Sequence, residues 1–490
     1  MRELDGHDPA NARREVLVHG SMYTFAAAAP VLVTLFVTPV ITRLLGDVQY
    51  GVVATSMLIV QVGLIVLSLG MAEAIARHGI LEDSGIPGAR ALVVHGAWLS
   101  LAATAGIVAT GSWWSEPLTG IPWQLAVLAA VIGAFLFGVI TNVQAVQRAM
   151  RRPGPFVLLS MIATFGGPLL GLAAVLTTSP DANSYMTGLV GGYAVAAVVA
   201  LVLMHRQGPA VSASGDIVRA VRTGAPMIAH QSSLYFATAA LVVVSTHAYG
   251  VGAGGRMQLA LLVGTAPAII AMAVGNSWGP VMYRTPPEQR GAVITATARD
   301  VAAVIAILAG GVSTLSPWIL RLLAPASFRI DEVVPVVAFA AAGCTVAVAY
   351  LANVHLVFAT GRSAGLVLIA PGAVVLAAAG VQILLPGRPI WVVGAGFPFA
   401  YVLMAIAASL LRRRIAPVSF DERNLLSWIV LGAVCALVGG IAPQHGAMSL
   451  SRLIVAAALG VLALRRLRPL LFHVNPEKRP RRARPLSPRS

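Results

Sequence analysis

The sequence predicts an all-α polytopic membrane protein with about fourteen transmembrane helices. Two parallel six-helix lobes are expected to surround a central cavity, and two further helices are appended to them. Three observations predict this fold. Long stretches lack charged residues, basic residues gather on alternate sides of those stretches, and the spacing of the first six stretches recurs in the next six.

The uncharged stretches are the first observation. Thirteen of them, each 17 to 26 residues long, contain no Asp, Glu, Lys or Arg. A hydrocarbon core about 30 Å thick needs roughly 20 apolar residues to be crossed by a helix, and a backbone in lipid must satisfy its own hydrogen bonds. The predicted crossings are Met22–Ile41, Val52–Met71, Ala91–Thr110, Gln124–Thr141, Phe156–Leu176, Met186–Met204, Met227–His247, Met257–Trp278, Val301–Leu320, Val333–Phe358, Ala364–Leu385, Trp391–Leu411 and Leu425–Ile441.

A fourteenth crossing is predicted at Ser449–Leu464. It contains Arg452 near one end, where a long side chain can reach the membrane interface. The mean hydropathy of +0.83 agrees with a chain that lies mostly in the membrane.

The distribution of basic residues predicts the orientation. If the N-terminus is cytoplasmic, 28 of the 34 Lys and Arg residues fall in inside segments and 6 in outside segments. The positive-inside rule then places both termini in the cytoplasm, which requires an even number of crossings. The net charge of +16 is therefore attributed to orientation and attraction to membrane lipids rather than to a nucleic-acid partner.

The third observation is an internal repeat. Crossings seven to twelve begin 205 to 210 residues after crossings one to six, and three glycine pairs share an offset of 204: Gly20 with Gly224, Gly46 with Gly250, and Gly51 with Gly255. Because six is even, both copies cross in the same direction, as in parallel-repeat transporters. The predicted organisation is an N-terminal segment (1–20), an N-lobe (21–205), a cytoplasmic linker (206–223), a C-lobe (224–411), the appended helices (412–467) and a basic cytoplasmic tail (468–490).

Short motifs resemble a known transporter family. A first helix ends in Arg-Leu-Leu-Gly at 43–46, Tyr-Gly follows at 50–51, and the next helix closes in GMAEAIARHG. The second half contains WGPVMYR at 278–284. These features resemble oligosaccharide-lipid (polysaccharide) flippases of the multidrug/oligosaccharidyl-lipid/polysaccharide exporter superfamily. Arg256 departs from the pattern, which often has Tyr after the glycine equivalent to Gly255.

The resemblance implies transport by alternating access rather than enzymatic activity. The substrate would be a polyprenyl-diphosphate-linked oligosaccharide, moved to the outer leaflet of a bacterial inner membrane for assembly of cell-surface polysaccharide. A polysaccharide polymerase or glycosyltransferases would be partners. No cofactor is expected: the sequence lacks a phosphate-binding GxxxxGK[ST] loop and the HExxH and CxxC metal-binding spacings.

A diphosphate cannot cross hydrocarbon unless it is paired or hydrated, so polar residues in or beside the crossings are candidate substrate contacts. Each has a structural alternative: an interfacial arginine, a local ion pair or a hydrogen bond between helices. Glu73 and Arg77, four residues apart, are expected to pair on one helix face or to act at a gate. The candidate substrate contacts are Arg43, Arg77, His230, Gln231, Tyr235, Asn276, Arg284, Asn353 and His355.

Prolines and glycines predict where helices bend or pack closely. Pro30 and Pro39 in the first crossing and Pro267 in the eighth remove helical hydrogen bonds, which permits either a hinge or a static kink. With Glu73, they form the predicted gate or hinge set. Glycines in the fifth and sixth crossings are expected to allow close helix packing: Gly166, Gly167, Gly171, Gly188 and Gly192.

Alternative functions remain open at this point. A peptidoglycan lipid-precursor flippase would face the same diphosphate problem, but several cavity arginines would be expected, and the thirteen clean crossings contain none. A cation-coupled multidrug exporter would need carboxylates in the membrane, which these crossings also lack. A membrane glycosyltransferase or polymerase should have large loops, whereas the longest segments between crossings are only about 20 residues. A scaffold has no need of the repeat.

Overall fold

A computed structural model describes residues 9–68, 70–150, 152–208, 210–211, 217–218, 220–221, 232–360, 364–384, 386–416, 418 and 420–472. Within these ranges the chain forms helices and no strand. The first helix, α1 (Pro9–Ser68), is divided by Gly46, whose φ of 71° and ψ of 179° are not helical. Its two arms, residues 9–45 and 47–68, correspond to the first two predicted crossings.

The remaining helices of the first half follow in short succession. They are α2 (Met71–Leu81), α3 (Gly85–Ala109), α4 (Gly111–Thr119), α5 (Leu125–Ala149), α6 (Pro153–Thr177) and α7 (Ala182–His205). The second half contains α8 (Ser233–Tyr249), α9 (Val251–Gly264), α10 (Ala266–Arg284), α11 (Pro287–Leu323), α12 (Val334–Phe358), α13 (Ile369–Leu384) and α14 (Trp391–Ile415). The appended helices are α15 (Glu422–Ile441) and α16 (Leu450–Phe472).

The structure is that of a multi-pass membrane protein. Among the described residues, nine helices are long and apolar enough to cross a membrane, and a tenth is obtained if α9 and the start of α10 form one bent span. Two further apolar helices, Ser233–Tyr249 and Leu425–Ile441, are shorter. All fourteen predicted crossings overlap helices of the structure.

Each half is built around one central helix. In the first half α5 packs against α1, α3 and α7; in the second half α12 packs against α10, α11 and α14. These two helices are the most buried of the candidate spans in the described ranges. They are the fourth and tenth predicted crossings, so the central helix occupies the same place in each copy of the repeat. The appended helices pack mainly on α11, and α15 also packs on α12.

Glycines bring α6 and α7 into backbone contact. A Cβ atom built on Gly192 would overlap the backbone of Gly167, and one built on Gly188 would overlap the carbonyl of Leu170. The predicted close packing of the fifth and sixth crossings is thereby confirmed. A π-helical turn at Ile162–Gly166 interrupts α6 immediately before this contact.

Arg452 differs from its prediction. Instead of reaching the interface, it is buried, with 1% of its surface exposed. Its guanidinium donates hydrogen bonds to the carbonyls of Pro443 at 2.8 Å and Thr314 at 3.0 Å, and also to that of Ala442. The last carbonyls of a helix lack partners within the helix, so Arg452 satisfies groups at the end of α15 and joins them to α11.

Candidate functional site

The repeated glycines define the junction between the lobes. Gly46 precedes the second arm of α1, and Gly250 precedes α9. Their conformations are nearly the same, with φ of 71° and ψ of 179° for Gly46 and φ of 87° and ψ of 169° for Gly250. This region of conformational space is essentially restricted to glycine. One glycine pair of the predicted repeat therefore has the same backbone geometry in both halves.

The second pair, Gly51 and Gly255, meets across the junction. A Cβ built on Gly255 would lie 2.8 Å from the backbone nitrogen of Gly51 and 2.9 Å from its Cα. A Cβ built on Gly51 would overlap the carbonyl of Val251. The second arm of α1 and α9 thus approach each other backbone to backbone, with one copy of the repeat on each side.

An ion pair joins the lobes beside these glycines. Nη1 of Arg256 lies 3.2 Å from Oδ2 of Asp47. The Arg256 side chain is 5% exposed and that of Asp47 is 30% exposed, so one partner is buried and the other borders solvent or headgroups. Arg329 and Glu332, themselves paired at 3.2 Å, are close enough to act on Arg256 electrostatically. Arg256, the departure from the family pattern, is therefore an inter-lobe contact.

Further contacts close the same end of the junction, here called the outer end because the charge distribution predicts that it faces away from the cytoplasm. Oγ1 of Thr42 donates to the carbonyl of Leu323 at 2.6 Å. Arg43 donates to the carbonyl of Leu322 at 3.1 Å and to that of Pro39 at 2.7 Å. These bonds connect the first arm of α1 to the end of α11, so Arg43 also links the lobes.

A short helix absent from the sequence prediction adds to this closure. α4 contacts α8 of the other lobe. After α4 the chain turns at Gly120, with φ of 76°, where a Cβ would lie 2.6 Å from the Cγ2 of Thr246. The signal in the sequence is the aromatic group Trp113, Trp114 and Trp123, which is typical of a membrane interface.

The other predicted contacts are dispersed. Arg77 lies at the opposite, inner end of the N-lobe, with its guanidinium 3.9 Å from the carboxylate of Glu82. The predicted partner, Glu73, is described only in its backbone. Tyr235 lies in the first turn of α8 with 41% of its surface exposed. His230 and Gln231 lie outside the described residues, and Asn276 and Arg284 are described only as backbone positions of α10.

Asn353 and His355 face the interior of the C-lobe. Asn353 is 2% exposed, and its Oδ1 accepts a hydrogen bond from Nε of Arg412 at 2.7 Å. The ring of His355 stands edge-on to that of Trp278, with centroids 5.8 Å apart. In this conformation both side chains make contacts between helices of the C-lobe, which is the alternative to substrate binding given above for such residues.

The backbone is bent beside one of the predicted hinge prolines, Pro267, but not at the other two. α1 continues in helical geometry through Pro30 and Pro39, and its interruption is at Gly46 instead. A proline ring does not require a break when the lost hydrogen bond is tolerated locally. The eighth predicted crossing is bent by 49° between α9 and α10, and Pro267 lies in the first turn after this bend.

Asp47 and Thr42 were not predicted as contact residues, because Asp47 lies outside every uncharged stretch and no spacing distinguishes Thr42. The available signal was charge complementarity. Asp47 lies four residues before Gly51 in the first copy, and Arg256 directly follows Gly255 in the second. Opposite charges beside equivalent glycines indicate a contact across the repeat axis.

Comparison with solved structures identifies the fold. The chain is similar to the lipid II flippase MurJ in an inward closed conformation, with a TM-score of 0.63 and 10% identity, covering 93% of this chain and 100% of that chain. It is also similar to an inward-facing multidrug resistance MATE family transporter of the MOP superfamily, with a TM-score of 0.55 and 18% identity over 81% of this chain and 94% of that chain. An outward-facing MATE transporter gives a TM-score of 0.50 at 17% identity, covering 82% and 94%.

No family model and no curated protein matches the sequence. The chain has the fold of MOP-superfamily transporters, which agrees with the family resemblance of its motifs.

Proposed function

We propose that this chain moves a polyprenyl-diphosphate-linked oligosaccharide from the inner to the outer leaflet of a bacterial inner membrane by alternating access. The observation that carries the proposal is the junction at the outer end. The two halves of the predicted repeat meet there through Gly51 and Gly255 and are held by the ion pair between Asp47 and Arg256. A contact of this kind closes one side of a passage between lobes and can be broken without unfolding either lobe.

The charge of the substrate gives the junction a role in transport. The lipid headgroup carries about two negative charges, which must remain paired or hydrated. When the lobes separate, Asp47 leaves Arg256, and the guanidinium becomes available to an anionic oxygen of the headgroup. With a membrane that is negative inside, outward movement of two negative charges gains about 4.6 kcal/mol per 100 mV. The proposal therefore needs no nucleotide chemistry.

Transport of a lipid-linked substrate can be measured in proteoliposomes. We expect the purified protein to expose a fluorescent polyprenyl-diphosphate oligosaccharide on the opposite leaflet, detected by a membrane-impermeant quencher. Arg256→Gln should slow this exposure several-fold, whereas Arg388→Gln should not, because Arg388 is an exposed basic residue of the same predicted outer side. Absence of exposure by the wild-type protein would contradict the proposal.

A second candidate is a flippase for the peptidoglycan lipid precursor. It is favoured by one observation: the fold match to the MurJ structure covers 93% of this chain, whereas the match to the MATE transporters covers 81–82% of it. The same proteoliposomes loaded with lipid II test it. Exposure of lipid II but not of the oligosaccharide lipid would select this alternative.

A cation-coupled multidrug exporter is the third candidate. Asp47, at the start of the second arm of α1, is a carboxylate at the lobe junction and is paired with Arg256. Efflux of a cationic dye that is abolished by Asp47→Asn, without exposure of either lipid-linked substrate, would select the drug exporter.

A further inference from the structure

A cavity of about 450 Å³ lies between the C-lobe and the first appended helix, away from the lobe junction. It is bounded by α12, by the last turns of α14 and by the start of α15. Arg412, Arg413 and Arg414 end α14, and Arg423 begins α15. The charge distribution predicts that this end of the molecule faces the cytoplasm.

The polar part of the cavity is built by guanidinium, hydroxyl and amide groups. Arg413, Arg423 and Ser409 line it together with the amide of Asn353. Arg413 and Arg423 are exposed and come from two different helices, so their charges can converge on one ligand. The start of α15 adds the positive partial charge of a helix N-terminus. The carboxylate of Asp421 lies in the same turn and accepts a hydrogen bond from the backbone nitrogen of Arg423 at 3.1 Å.

The wall behind these groups is held in place. Arg412 is buried and donates to Oδ1 of Asn353 at 2.7 Å and to the carbonyl of Val418 at 3.1 Å. Its guanidinium also lies over the ring of Phe420, 5.4 Å from the centroid. Since Asn353 and Phe420 line the cavity, Arg412 fixes two of its walls and the linker between α14 and α15.

The other part of the cavity is apolar and open to lipid. Ile406, Leu410 and Leu426 line it, and each has more than half of its surface exposed in the isolated chain. Large exposed aliphatic residues on a transmembrane helix face hydrocarbon. Cationic groups at the level of the helix ends above such a wall match the two parts of an anionic phospholipid, a phosphate headgroup and an acyl chain.

We propose that this cavity binds an anionic phospholipid of the inner leaflet, with its phosphodiester at Arg413 and Arg423 and an acyl chain along Ile406, Leu410 and Leu426. The bound lipid bridges α14 to α15 and thereby stabilises the attachment of the appended helices. This site is independent of the transport function proposed above, because it lies between the C-lobe and an appended helix rather than between the two lobes.

Native mass spectrometry of the full chain tests this site. Phosphatidylglycerol and phosphatidylcholine of the same acyl chains serve as probes. We expect phosphatidylglycerol to be retained preferentially by the wild type and about tenfold less by Arg413→Gln/Arg423→Gln, because two charge-assisted hydrogen bonds are lost. The control Arg414→Gln/Arg299→Gln removes two exposed arginines of the same membrane side that do not line the cavity, and it should retain the lipid.

A second variant tests the cavity without removing an arginine, so that a folding defect of the double arginine variant cannot account for both results. Ser409→Leu fills the cavity without changing the charge, and it should also lower the retention of phosphatidylglycerol. Equal retention by the wild type and both cavity variants would overturn the proposal. Displacement of the lipid by inorganic phosphate would instead assign the polar part to a free anion, and equal retention of the two phospholipids would show that the cavity does not select charge.

Discussion

At the residue scale, the buried arginines explain how cations are accommodated in an apolar protein. Arg90 donates to the carbonyls of Met204 and Gly208 at the end of α7. Arg452 binds the carbonyl of Pro443 just beyond the end of α15, and Arg412 binds the carbonyl of Val418 in the linker that follows its own helix, α14. Helix C-termini carry unpaired carbonyls and partial negative charge, so a guanidinium with five donors can satisfy several of them at once. Arg256 differs because its partner is a carboxylate of the other lobe.

Arg452→Met should destabilise the protein, because it leaves the carbonyls of Pro443, Ala442 and Thr314 without this donor. Each unsatisfied buried group costs about 1–3 kcal/mol. The melting temperature in detergent should fall by several degrees, whereas Arg465→Met, at an exposed position of the same helix, should leave it unchanged. Equal melting temperatures for the two variants would show that the bonds of Arg452 contribute nothing to stability.

Gly46→Ala isolates the cost of backbone conformation. A Cβ on Gly46 would meet no atom within 4 Å, so the effect should come from its φ of 71° alone, a cost of about 1–3 kcal/mol. Gly106→Ala is the matched control, since Gly106 lies in the helical α3 and also has open space. There the same methyl group should be neutral or stabilising by about 0.5–1 kcal/mol. Thermal unfolding of both variants tests the difference, and equal effects would contradict this explanation.

At the element scale, helix contacts in this protein depend on small residues. α6 and α7 meet through Gly167, Gly188 and Gly192, and the second arm of α1 meets α9 through Gly51 and Gly255. Without a hydrophobic driving force between helices in lipid, close backbone approach supplies the van der Waals contact that holds them. The two contacts differ in position: the contact between α6 and α7 lies inside a lobe, whereas the contact between the second arm of α1 and α9 lies between the lobes.

Gly192→Val should separate α6 from α7. The added side chain would overlap the backbone of Gly167, and overpacking of this kind costs about 1–3 kcal/mol or more. The neighbouring Gly191→Val is the control, because a Cβ at Gly191 meets nothing within 4 Å. Yield and melting temperature should fall for Gly192→Val alone; a comparable loss in both variants would indicate a general intolerance of valine in α7.

At the scale of the whole molecule, the helices and their repeat followed from uncharged stretches and their spacing. These features are local. The composition of a single stretch already indicates that it lies in lipid, and the order of the stretches gives the direction in which each one crosses. The contacts of the candidate site could not be predicted equally well from the sequence. The positions of Asp47, Asn353 and Arg452 depend on which residue of a distant helix stands opposite, and no local pattern specifies that. Short interfacial helices such as α4 are also invisible to a search for long apolar runs.

A disulfide across the junction should stop transport. A Cβ on Gly252 would lie 3.3 Å from the Cγ of Asp47, close to the position that a cysteine sulfur would occupy. The variant Asp47→Cys/Gly252→Cys is therefore expected to form a disulfide under oxidation. Exposure of the lipid-linked substrate should cease in the oxidised variant and recover after reduction to the level of the reduced variant before oxidation.

Asp47→Cys alone controls for loss of the ion pair and for Cys344 and Cys435, the free cysteines of the described residues. Its activity should not respond to oxidant. Undiminished transport by the cross-linked protein would mean that the outer end need not open.

The contact between Gly51 and Gly255 also constrains how the chain can evolve. A side chain on Gly255 would overlap the backbone of Gly51, and one on Gly51 would overlap the carbonyl of Val251, in the same helix as Gly255. The two glycines occupy equivalent positions of the predicted repeat. Elsewhere the two halves are free to differ: at the offset of 204, Asp47 corresponds to Val251 and Arg256 corresponds to Val52. At this contact, however, a side chain introduced in one half must be compatible with the other half. We therefore expect both positions to remain glycine in related sequences, even where the surrounding residues of the two halves differ.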